Sequence, residues 1–300
     1  MIQAAANDRP PIPKGAQIRT PIMTNALTHA GSCLLAATVG LAPAAAAMSQ
    51  DVAPADLAVS RTDQNSLKAH TELLAKAKGG RIDVYFVGDS ITRRWGALDY
   101  PDLLAHWRKN FHGWNAANFG WGADTTQNVL WRLQNGELDG VSPKIVVVQA
   151  GTNNLGTAPG GDATVEDTVR GIKAIVEVCR AKAPNATIVL TGIFPRNDKP
   201  VWPEVVRVNA RVARLADGRA VRYVNVNDKL ADRDGVLFEG MTADKLHPSI
   251  KGYQIWADGL RPIFLEVLGP PAAIDQAPPP TGDPSARQKG RAAGAARPRR

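Results

Sequence analysis

Ser90 stands where the apolar run Val84-Tyr85-Phe86-Val87 breaks into Gly88-Asp89-Ser90. The segment "ITRRW" follows and reads as the first turn of a helix. A serine placed there has its hydroxyl at a sheet edge and its own N–H near a helix start. That arrangement offers a nucleophile and a donor for a developing oxyanion. It is equally the arrangement of a helix N-cap. A serine is a weak nucleophile and needs a base. His29, His70, His106, His112 and His247 are the histidines of the chain. His29 falls in the leader, and His70 and His106 in amphipathic helical patterns. His112 falls in a polar turn, so these four read as surface or boundary residues. His247 differs, because it lies in the loop "TADKLHPSIKGY" with Asp244 three residues earlier. A carboxylate on so short a tether can bend back to the imidazole and fix its tautomer. Asp-x-x-His also fits a helix-entry loop with a capping aspartate. Pro248 disfavours helix at His247 and holds the loop extended.

An oxyanion needs donors. "VVVQAGTNNLG" places Asn153 just past a strand, and an Asn side chain donates without adding charge. "NFGWGADTTQNVLWRL" places Gly120, Gly122 and Ala123 in a tight turn before a helix, with backbone N–H groups available to an anion. Both loops also fit ordinary β-to-α turn chemistry. "GWGADT" lacks the third glycine of a dinucleotide fingerprint. No His, Asp or Glu cluster has metal-ligand spacing. Trp121, Trp95 and Trp202 flank the same edge. Trp121 could wall an acyl or sugar site, and packing is the other role open to all three.

The elements that must position these residues alternate. Apolar runs at 82–88, 116–120, 144–151, 187–194 and 221–227 read as strands buried on both faces. Helical patterns fall at about 57–78, 97–110, 125–135, 163–182, 203–216 and 249–267. In 163–182, Val165, Val169, Ile172, Ile175, Val176 and Cys179 recur at spacings of three and four. Strand-helix alternation predicts an α/β domain with a parallel sheet. Ligands of such sheets sit at the C-terminal strand ends, where the loops of Ser90, Ala123 and Asn153 converge.

Together, "GDSIT", "NFGWGADTTQNVLWRL", "GTNN" and "DKLHPS", in this order, resemble the GDSL or SGNH hydrolase family. The second segment and "KIVVVQAGTNN" are similar to its platelet-activating-factor acetylhydrolase-like branch. The resemblance spans about residues 60–268. It implies a flavodoxin-like three-layer α/β/α sandwich with about five parallel strands, and ester hydrolysis with no metal or cofactor. It implies Ser90 as nucleophile, His247 as general base and acid, and Asp244 as its orienting partner. The oxyanion hole it implies is the Ser90 N–H, the Asn153 side chain and a backbone N–H at Ala123. There the family has glycine. Alanine can serve at negative φ and is strained if the position needs φ above zero. The expected function is a secreted serine esterase acting on short acyl esters, acetyl first, with carbohydrates as candidate carriers. A lysophospholipase or thioesterase of the same family, and a non-catalytic glycan-binding domain on the same fold, are the alternatives. A flavin- or phosphate-binding flavodoxin-like protein would need a loop richer in Ser, Thr and Gly than "GDSITRRWG".

The chain ends read differently. Residues 33–47, "CLLAATVGLAPAAAA", follow Arg9, Lys14 and Arg19 and end in Ala-x-Ala choices, the layout of a secretory signal. The run is short of the ~20 residues that span a bilayer, so no transmembrane segment is expected. Residues 1–47 are thus assigned to a signal peptide, which implies a secreted or periplasmic protein. Residues 48–57 are assigned to a linker, 58–268 to the hydrolase domain and 269–300 to a disordered Pro-, Ala- and Arg-rich tail. Removal of the leader would leave Cys179 without a disulfide partner. Of the net charge of +8, the tail carries +4 and the leader +2. The high pI is therefore a property of the ends, and no nucleic-acid partner is expected for the folded domain. The expected partner is a small-molecule or glycan ester.

Overall fold

The computed structural model describes residues 53–286, and the expected signal peptide lies outside them. Its centre is a five-stranded sheet of β1 (Val84–Gly88), β2 (Ala116–Gly120), β3 (Ile145–Gln149), β4 (Thr187–Thr191) and β5 (Val221–Val224). The order is β2-β1-β3-β4-β5, and every pairing is parallel. In β1 to β3 every residue is buried, as the continuous apolar runs require.

Alternate residues along each strand feed two cores. Tyr85, Val87, Val146, Val148, Ile188 and Leu190 face one side. There they meet α1 (Gln64–Ala77), α4 (Thr126–Arg132), α5 (Gly161–Lys182) and α6 (Trp202–Val212). Val84, Phe86, Ile145, Val147 and Val189 face the other side. There they meet α2 (Ser90–Gly96), α3 (Pro101–Phe111), α7 (Asn227–Leu230) and α8 (Ile250–Leu268). The three-layer α/β/α architecture follows. The expected helix at 125–135 ends at Arg132, and the chain then kinks through Gly136 at φ 105°. Among the described residues, no helix is long and apolar enough to cross a membrane.

Both outer boundaries of the domain are corrected. Residues 53–57, assigned to a linker, pack on the domain. Ala55 is fully buried, its N–H donates to Asp167, and its carbonyl accepts from Thr126 Oγ1 at 2.8 Å. Residues 269–286, assigned to the disordered tail, form an ordered strap beside edge strand β2. Ala272 N donates to Gly113 O at 2.9 Å and Arg81 N to Gln276 O at 3.0 Å. Leu98 N donates to Thr281 O at 3.0 Å, and Gln276 N to Asn115 Oδ1 at 2.7 Å. The strap is poor in apolar side chains and is held by its backbone and by Asp275 and Asp283, whose side chains accept from Gly113 N and Asn65 Nδ2, which composition does not reveal. Pro278, Pro279 and Pro280 roof a cavity of about 460 Å3 against β2 and α3.

Beneath the strap, the edge of β2 is guarded as well. Lys76 Nζ, buried enough that its amine is pulled down to about 7, donates to Asn118 O at 2.7 Å. Asn118 Oδ1 accepts from Gly120 N at 2.9 Å. A lysine turned onto an edge strand removes an acceptor that another chain could use. A chain ending at Gly269 is expected to melt about 5 °C or more below the full chain. Equal melting temperatures by calorimetry would show that the strap contributes nothing.

Candidate active site

β1 ends at Gly88 because nothing larger fits. A Cβ there would lie 1.9 Å from Gln149 O and 2.5 Å from Thr92 Oγ1. Asp89 then caps α2, its Oδ1 accepting from Ile91 N at 2.8 Å. Ser90 is the first residue of that helix and is half-buried. Gly120, at the end of β2, lets α2 approach, since its Cβ would sit 2.5 Å from Arg93 N. Tight packing of strand, turn and helix fixes where the Ser90 hydroxyl points.

His247 comes from the other end of the chain. Its Nε2 lies 2.9 Å from Ser90 Oγ, and its Nδ1 lies 2.8 Å from Asp244 Oδ2. A carboxylate only accepts, so the ring proton sits on Nδ1 and leaves Nε2 to accept from the serine hydroxyl. The loop that delivers the pair is built locally. Lys245 at φ 69° turns the chain, and Asp244 Oδ1 accepts from the N–H groups of Leu246 and His247 at 3.2 and 2.8 Å. Asn197 N donates to Lys245 O at 2.9 Å, which ties this loop to the one after β4. Arg94 Nη1 donates to Asp244 Oδ2 at 2.9 Å. Burial pulls His247 below its ordinary 6.5, so the ring is neutral at pH 7. Hydrogen bonds from His247, its charge and Arg94 together outweigh desolvation and hold the Asp244 carboxyl well below the usual carboxylate range.

The two remaining loops also meet. Asn153 Nδ2 donates to Asp124 O at 2.8 Å, which leaves its second N–H free and places it one residue from Ala123. Ser90 N–H and Ala123 N–H have no hydrogen-bond partner among the described residues. Arg196, not singled out in the sequence, brackets Asn153 by donating to Thr152 O at 2.8 Å and to Gly156 O. Ala123 adopts φ 61°, so this is the position that favours glycine. An L-residue there costs about 1–2 kcal/mol.

Asp89 is fully buried, and its Oδ2 has no partner among the described residues. Desolvation pushes its carboxyl up to about 7. Asp124 is fully buried too and pushed up to about 6, although Arg132 Nε donates to it at 2.7 Å. The tryptophans are packed. Trp121 is buried, with Nε1 donating to Ser66 Oγ at 2.8 Å and Arg93 over its ring. Trp95 is fully buried, and Trp202 Nε1 donates to Arg233 O at 3.1 Å. His106, expected near the surface, is buried and accepts from Trp95 Nε1 at 3.0 Å.

A family model described as GDSL-like Lipase/Acylhydrolase matches residues 86–255. The chain is 34% identical over 225 residues to platelet-activating factor acetylhydrolase IB subunit alpha1 of Bos taurus, covering 74% of this chain and 92% of that one. It is 34% identical over 213 residues to subunit alpha2 of Homo sapiens, covering 69% and 86%. In fold it resembles a GDSL-like lipase from Bacteroides thetaiotaomicron, with TM-score 0.54 and 22% identity over 67% of this chain and 98% of that one.

Two outcomes follow from the titrating groups. The Arg94 cation pushes the His247 pKa down. Arg94→Gln is therefore expected to move the acid limb of kcat/KM to higher pH and to lower kcat; an unmoved limb would exclude that coupling. The raised Asp89 pKa means the folded state binds this proton more tightly than the unfolded one. The resulting stability is complete below 3.8 and is lost as pH rises through about 7. Asp89→Asn, which cannot ionise, should gain melting temperature relative to the parent between about pH 5 and about pH 8. A constant difference across that range would refute the shift.

Proposed function

The chain belongs to the GDSL-like lipase/acylhydrolase family and is an ester hydrolase; from that premise we propose that Ser90, His247 and Asp244 are its catalytic triad. The proposed substrates are short acyl esters, acetyl esters first. The observation that carries the triad is the 2.9 Å approach of His247 Nε2 to Ser90 Oγ, with Asp244 on the opposite ring nitrogen.

In this reading His247 Nε2 takes the hydroxyl proton as Ser90 Oγ attacks the ester carbonyl carbon. The carbonyl oxygen becomes the oxyanion and receives the N–H groups of Ser90, Ala123 and Asn153 Nδ2. Collapse of the tetrahedral intermediate expels the alcohol, which takes its proton from His247. Water, deprotonated by His247, then attacks the acyl-enzyme and releases the acid, restoring Ser90. Asp244 holds the tautomer and stabilises the imidazolium in both halves.

One observation supports a small acyl group. The relatives in the comparison are named acetylhydrolases. Export remains a proposal resting on the pattern of residues 33–47.

Hydrolysis of p-nitrophenyl esters from acetate to long chains, with acetylated sugars beside them, tests the reading. Turnover is expected to fall with chain length, to vanish in Ser90→Ala, and to drop by about 10²–10³ in kcat in Asn153→Ala. Preference for long chains would favour the lysophospholipase reading. Turnover that survives Ser90→Ala would refute the triad.

A further inference from the structure

The loop after β2 is a four-residue turn whose central peptide carries the Ala123 N–H. Asp124 N donates across it to Trp121 O at 3.4 Å. Gly122, in the second position, lies outside the left-handed region, and Ala123, in the third, has φ 61°. This is the pattern of a type II turn, which favours glycine in its third position. Type I differs by a flip of the central peptide, and its third residue has a negative φ that alanine adopts freely. An alanine without other constraint would therefore favour the flipped form by roughly tenfold. The flip would turn the Ala123 N–H to the side where the Gly122 carbonyl now points.

Arg61 opposes that flip. Its Nη1 donates to Gly122 O at 3.1 Å. The peptide is trans, so the Ala123 N–H points the opposite way. Flipping would bring that N–H onto the guanidinium, donor against donor. Arg61 is itself held, with Nε donating to Asp63 Oδ2 at 3.2 Å and Nη1 lying 3.6 Å from Asp124 Oδ1. The segment before it is laced to the start of α4. Val59 N donates to Gln127 O at 3.1 Å, Asn128 Nδ2 to Val59 O at 3.0 Å and Gln127 Nε2 to Ala53 O at 2.7 Å. All of these residues on the N-terminal segment precede the family match at 86–255.

We propose that Arg61 is a positioning residue that locks the Gly122–Ala123 peptide in the type II orientation and so presents the Ala123 N–H to the oxyanion. The proposal rests on the reading of that N–H as an oxyanion donor. Alanine at 123 makes the lock necessary; glycine would populate either orientation.

The test is a double-mutant cycle of Arg61→Gln and Ala123→Gly on p-nitrophenyl acetate, with the melting temperature of each variant as a check on folding. Arg61→Gln is expected to lower kcat about tenfold, with KM within about twofold and the acid limb unmoved. With glycine at 123, the factor lost on removing Arg61 should shrink to about threefold or less. An equal loss in both backgrounds, or none in the first, overturns the proposal. A crystal structure of Arg61→Gln should show Ala123 at negative φ; positive φ retained there overturns the proposal whatever the kinetics. If Arg61→Gln melts without cooperativity, Arg61→Met, which keeps the side-chain stem without a donor, takes its place under the same criteria. Parent turnover that survives Ser90→Ala would refute the triad instead, and the crystal structure would still decide the orientation.

Discussion

Arg132 is a buried cation beneath the ends of β1 and β2. Its guanidinium donates to Gly88 O at 3.2 Å, to Phe119 O at 2.8 Å and to Asp124 Oδ2 at 2.7 Å, and it pairs with Glu137. Four otherwise separate pieces of chain thus meet on one planar fork. β1 and β2 are already paired in register along Val84–Gly88 and Ala116–Gly120, and Arg132 ties their carboxyl ends to the turn at Asp124. Removing such a partner would strand two buried carboxylates, a change that typically costs about 3–5 kcal/mol. The strands converge by topology, but the relative position of their loops depends on this one side chain.

Around that anchor the site divides into a rigid half and an adjustable half. Ser90 is rigid, because Gly88 and Gly120 leave no space and Tyr253 Oη donates to Ile91 O at 2.6 Å behind it. The Asp244–His247 loop is adjustable, because Asp244 is exposed and its position depends on Arg94 and Asn197. Arg196 does for the Asn153 loop what Arg94 does for Asp244. In each case an arginine fork joins a loop to a neighbour that is distant in sequence, which is the geometric role guanidinium fills better than ammonium.

The residues that meet at Ser90 were legible in the sequence, because each lies in a short loop whose composition is governed locally. Gly88, Asp89, Asn153, Asp244 and Pro248 are there for turns, caps and donors. The strands were legible for a similar reason, being buried on both faces. The braces were not legible. Arg61 meets Gly122 across 61 positions, Arg94 meets Asp244 across 150, and a surface arginine has no local signature of its partner. The strap at 269–286 misled for the opposite reason. Its Pro- and Ala-rich composition resembles a solvated tail, while its order comes from backbone groups and two aspartates whose distant partners composition does not encode. The left-handed Ala123 was foreseeable as a conflict but not as an outcome, since φ at a turn is decided by what lies on either side of the peptide.

The charges around Ser90 follow from the same burial. Desolvation pulls His247 down and pushes Asp89 and Asp124 up to about 7 and 6, so each of the three is driven toward its neutral form. Arg94 and Asp244 form an ion pair at 2.9 Å beside His247. In the proposed reaction, the space above Ser90 faces N–H dipoles more than net charge. A charge that appears there during acyl transfer meets donors already in place and a low local dielectric, the condition under which fixed dipoles act most strongly. A free cation in the same position would bind any anion, including the carboxylate product. Neutral donors in the proposed oxyanion hole would respond to the transient oxyanion and release the acid. That favours a site of peptide N–H groups and an amide side chain, with the arginines kept one layer back, where they fix geometry and leave the reacting oxygen to the dipoles.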